Sequence, residues 1–227
     1  MMPHILDRPI WNALQTEHAG LAEGGTLARR YPPSIVPFAA AANSSSESLD
    51  ALAKLAGAGE TMALVEPEAI IIPDGFDVAG EAVLVQMIGS TPHEEIFDPR
   101  IVRLTESDAA DMLALAQLTK PGPFTLGAQK LGSFWGIKED GRLIAMGGQR
   151  LRQTGFTELS GLCTHPDFQG KGLGKLMFRY VAGQIAASGA TTYLHVNAVN
   201  SGAIALYKAL GFEQRWELNL RIIRRRS

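Results

Sequence analysis

The chain has 227 residues, 46% of them hydrophobic, which is enough for a sizeable core in one large domain or two small ones. Its single cysteine, Cys163, excludes an internal disulfide and a multi-cysteine metal cluster, and it fits a reducing compartment. The net charge of −2 hides an asymmetry: residues 1–99 hold 4 Lys and Arg against 14 Asp and Glu, and residues 100–227 hold 17 against 9. That pattern points to two units that attract each other, and to a polyanionic ligand for the second.

The opening MMPHILDRPIW has no basic region followed by an apolar core, so no signal peptide is expected. Asp7 is read as the cap of a helix with Pro9 in its first turn, running to about Ala19. SIVPFAAAAN is read as a strand. Its apolar run, residues 35–42, is the longest in the chain, is interrupted by Pro37 and is far short of a membrane span. NSSSESLDALAKLAGAGE begins with capping serines, carries Leu49, Leu52 and Leu55 at helical spacing and stops at glycine. TMALVE and EAVLVQMIG read as strands. The polar GSTPHEEIFDPR, residues 89–100, holds two prolines and is the best linker candidate, which divides the chain into residues 1–97 and 98–227.

IVRLT reads as a short strand, and Thr105 or Ser107 caps a helix carrying Met112, Leu113, Leu115 and Leu118, broken by TKPGPF. SFWGIKEDGRLIAMGGQRL reads as a hairpin turning at Asp140-Gly141. TELSGLCTHP is a strand stopped by Pro166. After it come a glycine turn and a helix with Leu173, Leu176, Met177, Tyr180, Val181 and Ile185 on one apolar face. TTYLHVN, SGAIALYKALGF and EQRWELNLRII read as strand, helix and strand. In the last, alternation puts Trp216, Leu218, Leu220 and Ile222 on a buried face and Arg215, Glu217, Asn219 and Arg221 on a polar one. No internal sequence repeat is visible.

Gly170, Gly172 and Gly174 stand at alternate positions where a helix starts, against its propensity. Unpaired N–H groups and the positive end of the helix dipole make such a start a ready phosphate site, and glycine lets an anion approach closely. Lys171 and Lys175 add positive charge. The dinucleotide pattern fails because its third glycine would fall on Lys175, and the P-loop pattern fails because it needs a glycine at Asp167 or Gln169. Nucleic acid is not expected as the polyanion, because the basic residues are dispersed with few aromatics among them. Arg224-Arg225-Arg226 reads as a solvated tail.

What remains is QGKGLG, a Q-x-x-G-x-G between strand and helix, followed later by NSGAIALYKALGF. Together these resemble the GCN5-related N-acetyltransferases (GNAT), and LCTHPDFQGKGLG with LHVNAVNSGAIALYKALGF looks most like the FR47-like branch. The resemblance covers about residues 100–227. It implies an α/β (α+β) GNAT fold whose order is strand, two helices, hairpin, strand, loop-helix, strand, helix, strand. The mixed central sheet would be splayed between its two middle parallel strands. A smaller α/β domain would precede it, read as a degenerate GNAT-like half that lacks the Q-x-x-G-x-G.

The resemblance further implies acetyl-coenzyme A as co-substrate, no metal, and transfer of an acetyl group to a primary amine on a small molecule or peptide. It gives the pyrophosphate to Gln169, Gly170, Lys171, Gly172, Leu173, Gly174 and Lys175, and the pantetheine arm to the backbone of Leu162, Cys163 and Thr164. Asn200 would contact the arm or order a water, and Tyr207 would be the general acid to the sulfur. A backbone N–H near Leu162 or Cys163 would polarise the thioester. Glu158 is the candidate base, directly or through water, with His195 as the alternative on the acceptor side. TKPGPF would shape the acceptor pocket through Phe124. Cys163 as a nucleophile is set aside, because direct transfer needs no acyl-enzyme. A homodimer in the cytoplasm, with no membrane partner, completes the expectation; a non-catalytic acyl-coenzyme A sensor is the other reading.

Overall fold

The computed structural model describes residues 4–227. The first three, which open the stretch read as lacking a leader, lie outside the described residues. In chain order the elements are α1 (Pro9–Gln15), β1 (Glu23–Gly24), β2 (Ala28–Arg30), β3 (Ala39–Ala41), α2 (Ser46–Lys54), β4 (Thr61–Glu66), β5 (Phe76–Gly89) and β6 (Ile101–Leu104). There follow α3 (Ala109–Thr119), β7 (Phe134–Glu139), β8 (Arg142–Gln153), β9 (Phe156–Thr164), α4 (Leu173–Ala187), β10 (Thr191–Asn197), α5 (Ser201–Ala209) and β11 (Phe212–Arg225).

Contacts group the chain into two compact units. One runs to Pro33 and takes in Pro37–Met87 and His195–Ser227; the other holds Ser34–Val36 and Ile88–Leu194. The grouping departs from a cut at residue 97, which falls inside the second unit. β11 joins the first unit because it pairs antiparallel with β4, from Asn219↔Glu66 to Arg224↔Thr61.

In the first unit β1, β2 and β3 form an antiparallel sheet, and a second sheet runs in the order β4-β11-β5-β10. Ala39, Leu52, Met62, Leu64, Phe76 and Ile223 pack one core between them. α2 starts as its serines suggest: Ser45 Oγ accepts from the Ser48 N–H at 3.3 Å. α1 is shorter than expected and ends at Gln15, where the Thr16 hydroxyl donates back to the Asn12 carbonyl at 2.7 Å. Arg8 takes its cap position, while the Asp7 carboxylate accepts from the His4 N–H and pairs with Arg215. SIVPFAAAAN is extended as a strand only over Ala39–Ala41. The alternation read in β11 fails at Trp216, which is 55% exposed, whereas Leu218 and Ile223 are buried although they point to opposite faces. The covered face changes along this long strand.

In the second unit the order is β10-β9-β8-β7-β6. β6 to β9 are antiparallel and β10 is parallel to β9, giving the mixed sheet of the expected fold. Asp140 and Gly141 turn the β7–β8 hairpin with φ of 49° and 78°, the two left-handed residues that a tight hairpin requires. α3 ends on left-handed Lys120, and Pro121 and Pro123 prevent a second full helix. The second helix of the expected order is reduced to one 3₁₀ turn, Ala128–Lys130.

The polar stretch read as a linker is seated on α4. A Cβ at Gly183 would lie 2.6 Å from the Glu94 carbonyl oxygen, so the segment crosses the helix where it has no side chain. Gln184 donates to Glu95 at 2.9 Å, and the rings of His93 and Phe178 stand 5.9 Å apart, edge to face.

Candidate active site

β9 and the turn after it carry the site. The register with β8 shifts between Gly148↔Ser160 and Met146↔Cys163. Gly161 and Leu162 therefore oppose Gly147 alone, a bulge that takes local backbone groups out of the ladder. Gly161 has φ of 64°, and a Cβ there would stand 2.8 Å from the Phe134 ring. Conformation and space both demand glycine. On the other edge the parallel register with β10 ends at Tyr193↔Glu158, and β9 runs on from Leu159 to Thr164. This is the splay between the two middle parallel strands.

The turn that follows is fixed by a residue the sequence reasoning passed over. His165 is buried; its Nδ1 accepts from the Asp167 N–H at 3.2 Å, its ring packs edge to face on Phe168, and its Nε2 meets Arg142. Its own N–H donates to the Ile144 carbonyl at 2.7 Å. The signal was its place between strand and proline in CTHP. Beyond it Gly170 and Gly172 take φ of 75° and 77°, with open space where a Cβ would be.

Gly172 is the N-cap of α4. No side chain caps the helix, and no acidic residue lies in its first turn. The helix's first backbone bond is from the Leu176 N–H to the Gly172 carbonyl at 3.0 Å. The N–H groups of Leu173, Gly174 and Lys175 precede it and face outward at the positive end of the dipole. Gln169, Lys171 and Lys175 are exposed around this start, with the Lys171 ammonium 4.7 Å from the Phe168 ring centroid. A Cβ at Gly174 would meet the Thr164 hydroxyl at an ordinary 3.5 Å, so Gly174 keeps open the approach between helix and strand.

Glu158 has no exposed surface. Its Oε2 accepts from Arg150 Nε at 2.8 Å and its Oε1 from the other Arg150 nitrogen at 2.6 Å, while the Leu151 N–H adds a bond at 3.3 Å. Three hydrogen bonds thus fix the orientation of this carboxylate. Phe124 stands beside the bulge: its ring is 5.5 Å from that of Phe134, and it would touch a Cβ at Gly161 at 3.6 Å. Burial pushes the Cys163 thiol up to about 11, against a weaker opposing hydrogen bond with Thr119, so its sulfur is neutral at ordinary pH.

The first unit holds the remaining candidates. His195 Nε2 lies 3.0 Å from Gln86 Nε2, and Gln86 Oε1 accepts from Arg215 at 2.8 Å. The glutamine nitrogen is then the donor, and His195 Nε2 accepts from it. Asn200 caps α5, its Oδ1 accepting from the Ala203 N–H at 3.1 Å. Tyr207 is half-buried on α5, and burial raises its phenol above the ordinary tyrosine value.

A protein of the GNAT family from Novosphingobium aromaticivorans is similar over 99% of this chain and all of its own, at 40% identity and a TM-score of 0.92. The chain belongs to the GNAT family of acetyltransferases. The family model of the FR47-like proteins matches residues 134–221, which span the hairpin, the glycine turn and most of β11. A GCN5-related N-acetyltransferase from Kribbella flavida shares the fold at 17% identity and a TM-score of 0.61, over 96% of both chains. Among curated proteins, the ribosomal protein bS18-alanine N-acetyltransferases of Salmonella typhimurium and Escherichia coli are 39% identical over 57 residues. That match covers 25% of this chain and 38% of theirs. Among the described residues, no helix of this GNAT protein is long and apolar enough to cross a membrane.

Proposed function

We propose that the chain is an N-acetyltransferase that moves an acetyl group from acetyl-coenzyme A to a primary amine by direct attack. One observation carries this reading: an uncapped glycine start to α4 stands at the end of a strand that is bulged at Gly161 and runs on past its parallel neighbour. The N–H groups of Leu173, Gly174 and Lys175, with Lys171 beside them, suit a pyrophosphate. The backbone of Leu162, Cys163 and Thr164 suits the amide-bearing pantetheine arm, which would add to β9 as a strand does. A backbone N–H at the bulge near Leu162 is assigned to the oxygen that gains charge as the thioester is attacked.

The amine nitrogen bonds to the thioester carbon, the carbon–sulfur bond breaks, and the thiolate takes a proton. Tyr207 is the proposed donor; its raised pKa keeps the phenol protonated across the working range. The amine's proton leaves to water. Glu158 acts as a positioning residue that fixes Arg150 beside β9, since its carboxylate is already committed. Phe124 walls the acceptor side. We also propose that residues 1–97 derive from a degenerate GNAT-like half.

The experiment is thiol release from acetyl-coenzyme A in the presence of an amine panel that includes peptides with a free amino-terminal alanine, amino acids and polyamines. Release that depends on one class of amine supports the reading. The bidentate hold of Arg150 on Glu158 and the hydrogen bond accepted by His195 Nε2 favour a second reading, a non-catalytic acyl-coenzyme A sensor. Saturable cofactor binding without thiol release on any amine decides for the sensor.

A further inference from the structure

The first unit contains a cavity of about 310 Å³, at the small end of the range for small-molecule sites. Its position follows from how two strands meet. Phe38 and Ala63 form an isolated parallel bridge, closed by the Ala63 N–H donating to the Pro37 carbonyl at 2.6 Å. Past that bridge β3 and β4 part, and the cavity is lined from both: Ala40 and Ala41 on one side, Leu64 and Glu66 on the other, with Leu49 and Leu52 of α2 over it. The order strand, loop, helix, strand is that of β9, the glycine turn, α4 and β10, although β3 and β4 belong to different sheets.

Its chemistry is opposite to that of the glycine turn. The start of α2 is capped by its own residues: Ser45 Oγ accepts from the Ser48 N–H, and Glu47 stands in the first turn. A carboxylate in the first turn disfavours a second anion there. Across the cavity Arg8 is consumed as well. Its Nε and one terminal nitrogen hold Glu66 at 2.6 and 2.8 Å, and its terminal nitrogens donate to the carbonyls of Ala41 and Ala42. Those acceptors, at the last residue of β3 and the one after it, are ones that an incoming amide chain would need. Glu66 keeps lone pairs beyond the two that Arg8 uses, and Glu68 also lines the cleft. Surplus acceptors and negative charge therefore face an apolar floor.

We propose that this cleft binds a primary ammonium ion with an apolar body, the ammonium on Glu66 and Glu68 and the body against Ala40, Leu52 and Leu64. None of the residues lining the cleft is among those assigned to acyl transfer, and the proposal does not depend on that reading.

The probe is n-hexylammonium, titrated into the full, ¹⁵N-labelled chain without acetyl-coenzyme A, with hexanoate and hexan-1-ol as controls. The expected result is saturable movement of amide signals from residues 40–44 and 64–70 with the ammonium, and none with hexanoate. Glu66→Gln should weaken binding at least tenfold. Ile70→Trp, which fills the rim, should abolish it and leave acetyl-coenzyme A affinity unchanged. If Glu66→Gln unfolds through its effect on Arg8, the ammonium–carboxylate contrast and Ile70→Trp still decide. Equal binding of hexanoate, movement confined to other residues, or undiminished binding by Ile70→Trp would overturn the proposal.

Discussion

Arg150 and Glu158 meet in a bidentate ion pair inside the second unit, at 2.8 and 2.6 Å, with Glu158 wholly removed from solvent. Both lie on the hairpin that carries the bulge, so this pair ties the frame of the site to its stability. Removing one partner strands a buried charge, at a cost of roughly 3–5 kcal/mol. Glu158→Gln is expected to lower the thermal midpoint sharply and to reduce turnover, while the acid limb of the pH–rate profile stays where it was. Loss of that limb in a variant of native stability would show that Glu158 takes the proton itself.

Gly172 occupies the left-handed region at φ of 77° with open space around it. Gly172→Ala should cost roughly 1–2 kcal/mol in backbone strain and weaken acetyl-coenzyme A binding modestly. Gly172→Glu and Gly174→Glu place a carboxylate on the anion site and should abolish binding. Calorimetric titration checks this; unchanged heats in the Glu variants would remove the pyrophosphate from this turn.

Tyr207→Phe should lower kcat about 10²-fold or more with the affinity for acetyl-coenzyme A retained. Burial raises the phenol's folded pKa above its unfolded value. Its contribution to stability is therefore full below the unfolded pKa and is lost as pH rises through the folded one. Native and Phe chains should differ in their alkaline unfolding profiles, read by denaturant melts above pH 9. Equal kcat in the variant removes Tyr207 from the acid role.

Cys163 is buried in the core with Met146 and Phe134, with its thiol raised to about 11. Cys163→Ala should keep turnover within a few-fold, at a cost in stability of about 1–2 kcal/mol. Iodoacetamide should label the native chain only slowly at pH 8. The sign is the same as for Tyr207: the stability from burying the neutral thiol holds below its unfolded pKa and fades as pH climbs toward 11. Rapid alkylation that stops turnover would argue for a sulfur in the reaction path.

Much of the fold was legible locally. The hairpin at Asp140-Gly141, the serine start of α2, the apolar face of α4 and the glycine turn were all visible because turn chemistry and periodicity act over a few residues. The bulge at Gly161 was not, because an extra residue in a strand shows only against its partner. Nor was the burial of His165, nor the switch of covered face along β11, where Trp216 was expected inside and Ile223 is.

The sequence by itself determined the family and the local form of the glycine turn. Its glycine pattern needs left-handed residues and an uncapped helix start, and both are local properties of a short segment. Tertiary structure decided the rest. Arg150 reaches Glu158 across the β8–β9 pairing and holds its carboxylate, Glu94 and Glu95 pack on Gly183 within the stretch 89–100 read as a linker, and Arg8 spans 58 positions to hold Glu66. These are contacts between segments far apart in the chain or on facing strands. Charge, burial and partner are set there by packing, which no local pattern encodes.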